Sequence, residues 1–363
     1  MIINGQQFQT IWVDVNNQEK VKIIDQQKLP FEFQLKTLTT FADAFNAIKD
    51  MTVRGAPLIG VTAAFGIYLA ICEFKGEDLK DYLQKKANEI KTARPTAVNL
   101  AFAVDEMTRA LINIKNIDEA KRIALQKAEK LKNLEIDYCY SIGDFGLKLI
   151  EEISKKKNGE KVNILTHCNA GWLACIDWGT ATAPIYKAHQ KGIKLHVWVD
   201  ETRPRNQGSK LTAFELQQMG VPHTVIPDNT GGHLMQHKMV DLVIVGSDRT
   251  TRNGDVCNKI GTYLKALAAF DNDVPFYVAL PSSSIDFSIS DGLKEIPIEQ
   301  RNGDEVKFIE GKGGKTQVVP DGSPVANYGF DVTPARLVSG LITERGICNA
   351  TPESILQLFP EKE

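Results

Sequence analysis

VNILTHCNAG (162–171) decides how the second half of this chain is read. An apolar, β-branched run leads straight into a polar turn. The same grammar returns in LHVWVDETRPRNQG (195–208), HTVIPDNTGG (223–232), DLVIVGSDR (241–249) and PFYVALPSSS (275–284). Segments of about 10–20 residues with helical character lie between these runs. Apolar strands alternating with helices predict a parallel sheet covered on both faces. Folds of this doubly wound kind bind ligands beyond the carboxyl ends of their strands. The polar clusters that follow the five strands are therefore expected along one edge, as the rim of an active site.

Upstream the pattern differs. IWVDV (11–15) and VKIID (21–25), separated by NNQEK, predict a hairpin, and FEFQL (31–35) predicts a third strand. Thr40 with Asp43 forms a capping-box pattern ahead of FADAFNAIKDM. Ala56–Cys72 carries no charge, but it is shorter than the roughly 20 apolar residues a membrane span needs. Its glycines and threonine point to a packed core helix. Helical spacing continues through 78–92, 97–114 and 117–157, and the charged turn KKKNG (155–159) marks a boundary. The expected architecture is α/β: a smaller N-terminal domain of short strands and a helical bundle over 1–155, then a Rossmann-like doubly wound parallel sheet over 156–363.

The 363 residues are 43% hydrophobic and 24% charged, with a net charge of −2. That balance gives no electrostatic reason to expect nucleic acid or a membrane surface as partner. Six cysteines stand without CxxC or disulfide-framework spacing, and Met1–Gln9 is short and polar. A cytoplasmic protein with free thiols is the expectation. GxGxxG and GxxxxGK[ST] do not occur, so the dinucleotide and P-loop fingerprints are missing; GxSxG is absent too, and without HExxH a zinc site is not expected.

The rim offers a thiol (Cys168), a carboxylate (Asp248), an amide and an amine (Asn258, Lys259) and several arginines. That set suits an anionic, hydroxyl-rich ligand, because cations and glycine N–H groups receive phosphate while Cys and Asp move protons. Each residue also has an ordinary reading. A cysteine after a strand is usually a small buried hydrophobe, and an aspartate there usually caps a helix. ETRPR reads equally as a solvated loop, His167 as a backbone partner, and Trp172, Trp178 and Trp198 as core or pocket wall rather than stacking platforms. Taken singly, none assigns a function.

Taken together, VRGAPLIG (53–60), ARPTAVNL (93–100), THCNAG (166–171), DETRPRNQGSKLTAFEL (200–216), GSDRTTRNGDVCNKIGTY (246–263), PFYVALPSSSID (275–286) and FDVTP (330–334) resemble the motifs of the methylthioribose-1-phosphate isomerases, in that family's order. The resemblance implies a usually dimeric enzyme without metal or organic cofactor that turns 5-methylthioribose 1-phosphate into 5-methylthioribulose 1-phosphate in methionine salvage. It implies Cys168 and Asp248 as the catalytic pair. Arg54, Gly55, Ala56, Arg94, Gln207, Asn258 and Lys259 are implied as the groups that hold substrate and phosphate. Two departures flank the site: Trp172 follows THCNAG, and Thr251-Arg252 precedes NGD, positions where smaller residues are common. Both are expected to reshape the pocket for the 5-substituent. Two rival readings stand beside this one. One is an isomerase for a related sugar such as 5-deoxyribose 1-phosphate. The other is a non-catalytic regulatory binder of phosphate ligands, like the regulatory subunits of a eukaryotic initiation-factor exchange complex that share this fold.

Overall fold

A computed structural model of the chain describes residues 1–94 and 97–363. Pro95 and Thr96 of the ARPTAVNL block lie outside the described residues. Ile11–Asp14 (β1) and Asn17–Ile24 (β2) pair antiparallel with Ile11 opposite Ile23, as the hairpin pattern predicts. The turn is tighter than expected, because the exposed residues from Asn17 onward continue the ladder rather than loop out. The third strand is Leu35–Leu38 (β3), not FEFQL. Phe33 in that stretch packs instead on Phe8, with ring centroids 5.0 Å apart. That contact holds residues 31–34 out of the sheet.

Phe41–Lys49 (α1) starts at the predicted capping box: Asp43 N–H donates to Thr40 Oγ1 at 3.0 Å, and Thr40 N–H donates to Asp43 Oδ2 at 2.9 Å. The uncharged stretch forms Ala56–Glu73 (α2), buried from Ala56 to Ile71. Among the described residues it is the one helix long and apolar enough to cross a membrane, yet protein surrounds it. Leu79–Lys91 (α3), Val98–Leu111 (α4) and the 40-residue Ile117–Lys156 (α5) enclose it with α1.

After α5 come the strands that position the site: Val162–Thr166 (β4), Leu195–Asp200 (β5), His223–Ile226 (β6) and Leu242–Val245 (β7). Between them lie Ala183–Gln190 (α6), Ala213–Gln218 (α7) and Thr230–Gln236 (α8). Arg249–Thr251 (β8), Val256–Lys259 (β9), Thr262–Asp271 (α9), Phe276–Ala279 (β10), Ile285–Asp286 (β11), Phe330–Thr333 (β12), Gly340–Thr343 (β13) and Gly346–Cys348 (β14) follow. The large sheet runs β14-β13-β10-β7-β4-β5-β6, with every pairing parallel except β13 with β14. Its parallel strands thus follow the dinucleotide-fold order, reversing between β4 and β7.

Alternate residues face opposite sides. Ile164, Leu242 and Ile244 join one core with Ile185 of α6 and Leu216 of α7; Leu165, Val243 and Val245 join another with Leu234 of α8 and Ala266 of α9. The chain therefore changes faces between β6 and β7. All five predicted strands are present, and their polar clusters leave one edge. β13, β14 and a second sheet in the order β11-β8-β9-β12 had not been expected. The stretch 155–159 takes in the last two residues of α5 and the turn after it, but the cores are not divided there. Met1, Ile3, Ile24 and Leu29 pack into the same core as β4 and β5.

Glu135 of α5 is buried near the β10 end: Ser283 Oγ donates to its Oε1 at 2.8 Å, and its other oxygen has no partner among the described residues. Burial, reinforced by the charge of Glu344, raises its carboxyl from 4.5 to about 7. The folded chain therefore keeps a proton that the unfolded chain releases from about pH 4.5 upward. The resulting stability is full below that pH and is lost as pH rises to about 7, a swing of up to roughly 3 kcal/mol. Glu135→Gln keeps the Ser283 bond without the charge. It is expected to equal the parent near pH 4.5 and exceed it by about 1–3 kcal/mol at pH 8, read by urea denaturation at both values.

Candidate active site

Cys168 lies two residues beyond β4 and takes φ of 65°, the left-handed region. A residue with a side chain stays there only when its surroundings fix it. Two threonines do so. The Cys168 N–H donates to Thr202 Oγ1 at 2.8 Å, and Thr212 Oγ1 donates to the Cys168 carbonyl at 2.7 Å. Burial pushes the thiol up from its ordinary value, against the pull of the Arg54 and Lys259 charges.

Asp248 follows β7 and is half-buried, its N–H donating to the Cys257 carbonyl at 3.0 Å. Desolvation raises its carboxyl, while Lys259, Arg54 and Arg94 draw it down. Arg54 sits just ahead of α2, and its guanidinium donates to both the Oδ1 and the carbonyl of Asn169. Gly55 has φ of 98°, and a Cβ there would lie 2.4 Å from the Ala174 carbonyl oxygen. Only glycine lets α2 begin this close to the loop after β4.

One small cavity of about 30 Å³ is lined by Arg54, Gly55, Ala56, Cys168, Asp248 and Asn258. Beside it, about 20 Å³ opens among Ala56, Arg94 and Asp248 and the apolar side chains of Ile59, Ile296 and Phe330. A wide polar cleft of about 520 Å³ touches Arg54 and Gln207 but not Cys168 or Asp248. Its far wall is the exposed hairpin of Phe308–Gly311 and Gly314–Gln317, which forms from the EGKGGKTQ loop. Arg94 is buried and pairs with Glu299 at 3.3 Å. Lys259 lines none of these three spaces. Its buried ammonium donates to the Gly329 carbonyl at 2.8 Å, stands 4.5 Å from the Phe330 ring centre, and is lowered by desolvation.

His167 also lines the cavity of about 30 Å³, with Nδ1 2.8 Å from Asp200 Oδ2 and Nε2 2.8 Å from the Ile260 carbonyl. With Asp228 these residues have the spacing of metal ligands. Lys265 already supplies a cation, 3.3 Å from Asp200 Oδ2 and bonded to the Asp228 carbonyl. The acidic pair is served by the protein's own charge.

Residues 52–350 match the Initiation factor 2 subunit family. A methylthioribose-1-phosphate isomerase of Desulfatibacillum aliphaticivorans is 57% identical over 367 residues, covering 100% of both chains. The chain belongs to the methylthioribose-1-phosphate isomerase family. Among solved structures, the 5-methylthioribose 1-phosphate isomerase from Pyrococcus horikoshii OT3 superposes with a TM-score of 0.85 at 36% identity, covering 98% of this chain and 97% of that one. A structure described as translation initiation factor eIF-2B, subunit delta, from A. fulgidus superposes with a TM-score of 0.81, also at 36% identity, covering 98% of this chain and 100% of that one.

Of the nine residues that the isomerase-family motifs single out, six share the cavity of about 30 Å³ and Arg94 lines the space beside it; Gln207 faces the wide cleft, and Lys259 lines none of the three. Neither departure from the motifs reshapes these spaces. Trp172 is fully buried in the sheet core, Thr251 is buried in β8, where its Oγ1 accepts from the Asn253 and Asp255 N–H groups, and Arg252 points to solvent. Sequence reading missed Thr202 and Thr212, although both lie inside the quoted 200–216 block. Thr202→Val removes the acceptor for the Cys168 N–H and frees the strained backbone. The expected result is a roughly 10–100-fold loss of turnover from a displaced thiol. Steady-state kinetics beside a thermal melt reads this outcome.

Proposed function

We propose that this chain is an aldose–ketose isomerase that converts 5-methylthioribose 1-phosphate to 5-methylthioribulose 1-phosphate, a step of methionine salvage. The observation that carries the reading is the convergence of Cys168 and Asp248 on one cavity with Arg54, in a chain 57% identical to an isomerase of that name. Arg54, Arg94 and Lys259 supply the positive charge a phosphate dianion needs, and the start of α2 presents the positive end of a helix. The apolar space among Ile59, Ile296 and Phe330 suits a methylthio group.

A sugar phosphorylated on C1 has no free aldehyde, so its ring must open first. In this reading Asp248 gives a proton to the ring oxygen as the C1–O bond breaks and its electron pair passes to that oxygen. A hydrogen then moves from C2 to C1 with Cys168 beside it. The C2 hydroxyl becomes the ketone, and its proton returns to Asp248. Desolvation supports the acid role by holding the Asp248 proton to higher pH than an exposed carboxyl would.

Carbon NMR of the protein with 5-methylthioribose 1-phosphate tests the proposal. A ketone signal is expected with the parent and not with Asp248→Asn or Cys168→Ser. Conversion of 5-deoxyribose 1-phosphate alone would reassign the 5-substituent. Conversion of neither, with phosphate still bound, would make the chain a non-catalytic binder. The raised Asp248 carboxyl predicts that kcat/KM falls as pH climbs through its pKa, above the ordinary carboxylate range, read from a pH–rate profile.

The same reading includes a cytoplasmic homodimer. Six unpaired cysteines support a reducing compartment, and the exposed Leu264 and Phe270 of α9 supply apolar surface for a second copy. Light scattering is expected to give about twice the 40.2 kDa chain mass; a monomer would remove this part.

A further inference from the structure

Glu215 of α7 is fully buried, and every group it meets is a donor. Its Oε1 accepts from Asn169 Nδ2 at 2.8 Å and Leu173 N–H at 2.9 Å; its Oε2 accepts from Trp172 N–H at 3.0 Å and Tyr186 OH at 2.8 Å. Four donors suit a carboxylate, which only accepts, whereas a glutamine would turn its amine against at least one of them. A Cβ on Gly171 would stand 1.8 Å from Glu215 Oε2. The glycine of THCNAG is thus the opening through which the carboxylate reaches the loop.

The bond to Asn169 fixes more than that loop. Asn169 Nδ2 is committed to Glu215 and, at 3.2 Å, to Thr212 Oγ1. Its Oδ1 must then face the other way, where it accepts from Arg54 Nη1 while the Asn169 carbonyl accepts from Nη2 at 2.7 Å. Arg54 lines the cavity shared by Cys168 and Asp248. We infer that Glu215 is a positioning residue of this isomerase, aiming the Arg54 guanidinium into the reaction cavity through the side-chain amide of Asn169. It touches no reacting atom. The inference rests on the isomerase reading above.

The Arg54 charge also lowers both Cys168 and Asp248. Loosening Arg54 therefore moves the pH–rate profile towards higher pH as well as weakening the hold on phosphate. Glu215→Gln is expected to raise KM for the sugar 1-phosphate about 10–100-fold and to shift the profile upward. In an Asn169→Ala background, where the link is already cut, the same substitution adds little further change in KM. Tyr186→Phe removes one Glu215 bond without touching Asn169, and is expected to lower the melting temperature while KM stays at the parent value. Should Glu215→Gln not fold, Glu215→Asp, which withdraws the carboxylate from Asn169 by one methylene, is measured in its place. A parent-like KM and pH profile in the Glu215 variant, with only the melting temperature lowered, would reduce Glu215 to a loop brace and overturn the inference. A parent protein that does not isomerise the sugar at all would instead sink the functional reading.

Discussion

The chain's change of sheet face between β6 and β7 is the constraint on which the site depends. Helices α6 and α7 cover one face and α8 and α9 the other, so the connections beyond β4 and β7 diverge. A crevice must open between two such neighbouring strands, because no connection fills it. Cys168 leaves one side of that crevice and Asp248 the other. The N-terminal region closes it from above with the start of α2, and Gly55 is what allows the approach.

Closure of that kind sets the electrostatics. Cys168 and Asp248 are both pushed towards their protonated forms by burial, and Lys259 towards its neutral form. Arg54, Arg94 and Lys259 meanwhile stand close enough to Asp248 to draw its carboxyl down. Each has a modest polar partner: an amide for Arg54, one carboxylate at 3.3 Å for Arg94, one carbonyl for Lys259. Such a cluster is poised for an anion that desolvates as it enters, and it favours proton transfer from a carboxyl over transfer from exposed solvent.

How much of this could be read from residues alone follows from the range of the interactions. The parallel strands were legible because each is an apolar run with a polar turn at its carboxyl end. The strand at Gly340–Thr343 has the same role, but it is short, begins on glycine and turns through Glu344-Arg345 into the antiparallel Gly346–Cys348, so no helix alternates with it. The second sheet was hidden because Arg249–Thr251 and Val256–Lys259 are short and polar, and Val256 pairs with Thr333, far along the chain. Cys168 and Asp248 stood out by chemistry and position. The threonines that hold Cys168 did not, since they act across 34 and 44 residues of sequence. A hydroxyl in a charged loop looks like solvated surface until the fold brings a buried N–H to it. Trp172 misled in the opposite way: adjacency to the motif placed it near the pocket, while the turn after Gly171 directs it into the core.

Helix α5 spans about 60 Å at 1.5 Å per residue. Ala120, Ala124 and Ala128 on its first half belong to the core around α2, whereas Ile142, Leu147 and Ile150 on its second half belong to the core of the large sheet. A single unbroken rod is thus built into both halves of the molecule. Any opening that swung one half away from the other would have to bend this helix or strip one of its ends from a packed interior. The two halves are thus tied into one stiff frame around the crevice, and the exposed hairpin at 308–317, which walls the wide cleft, belongs to neither of those cores.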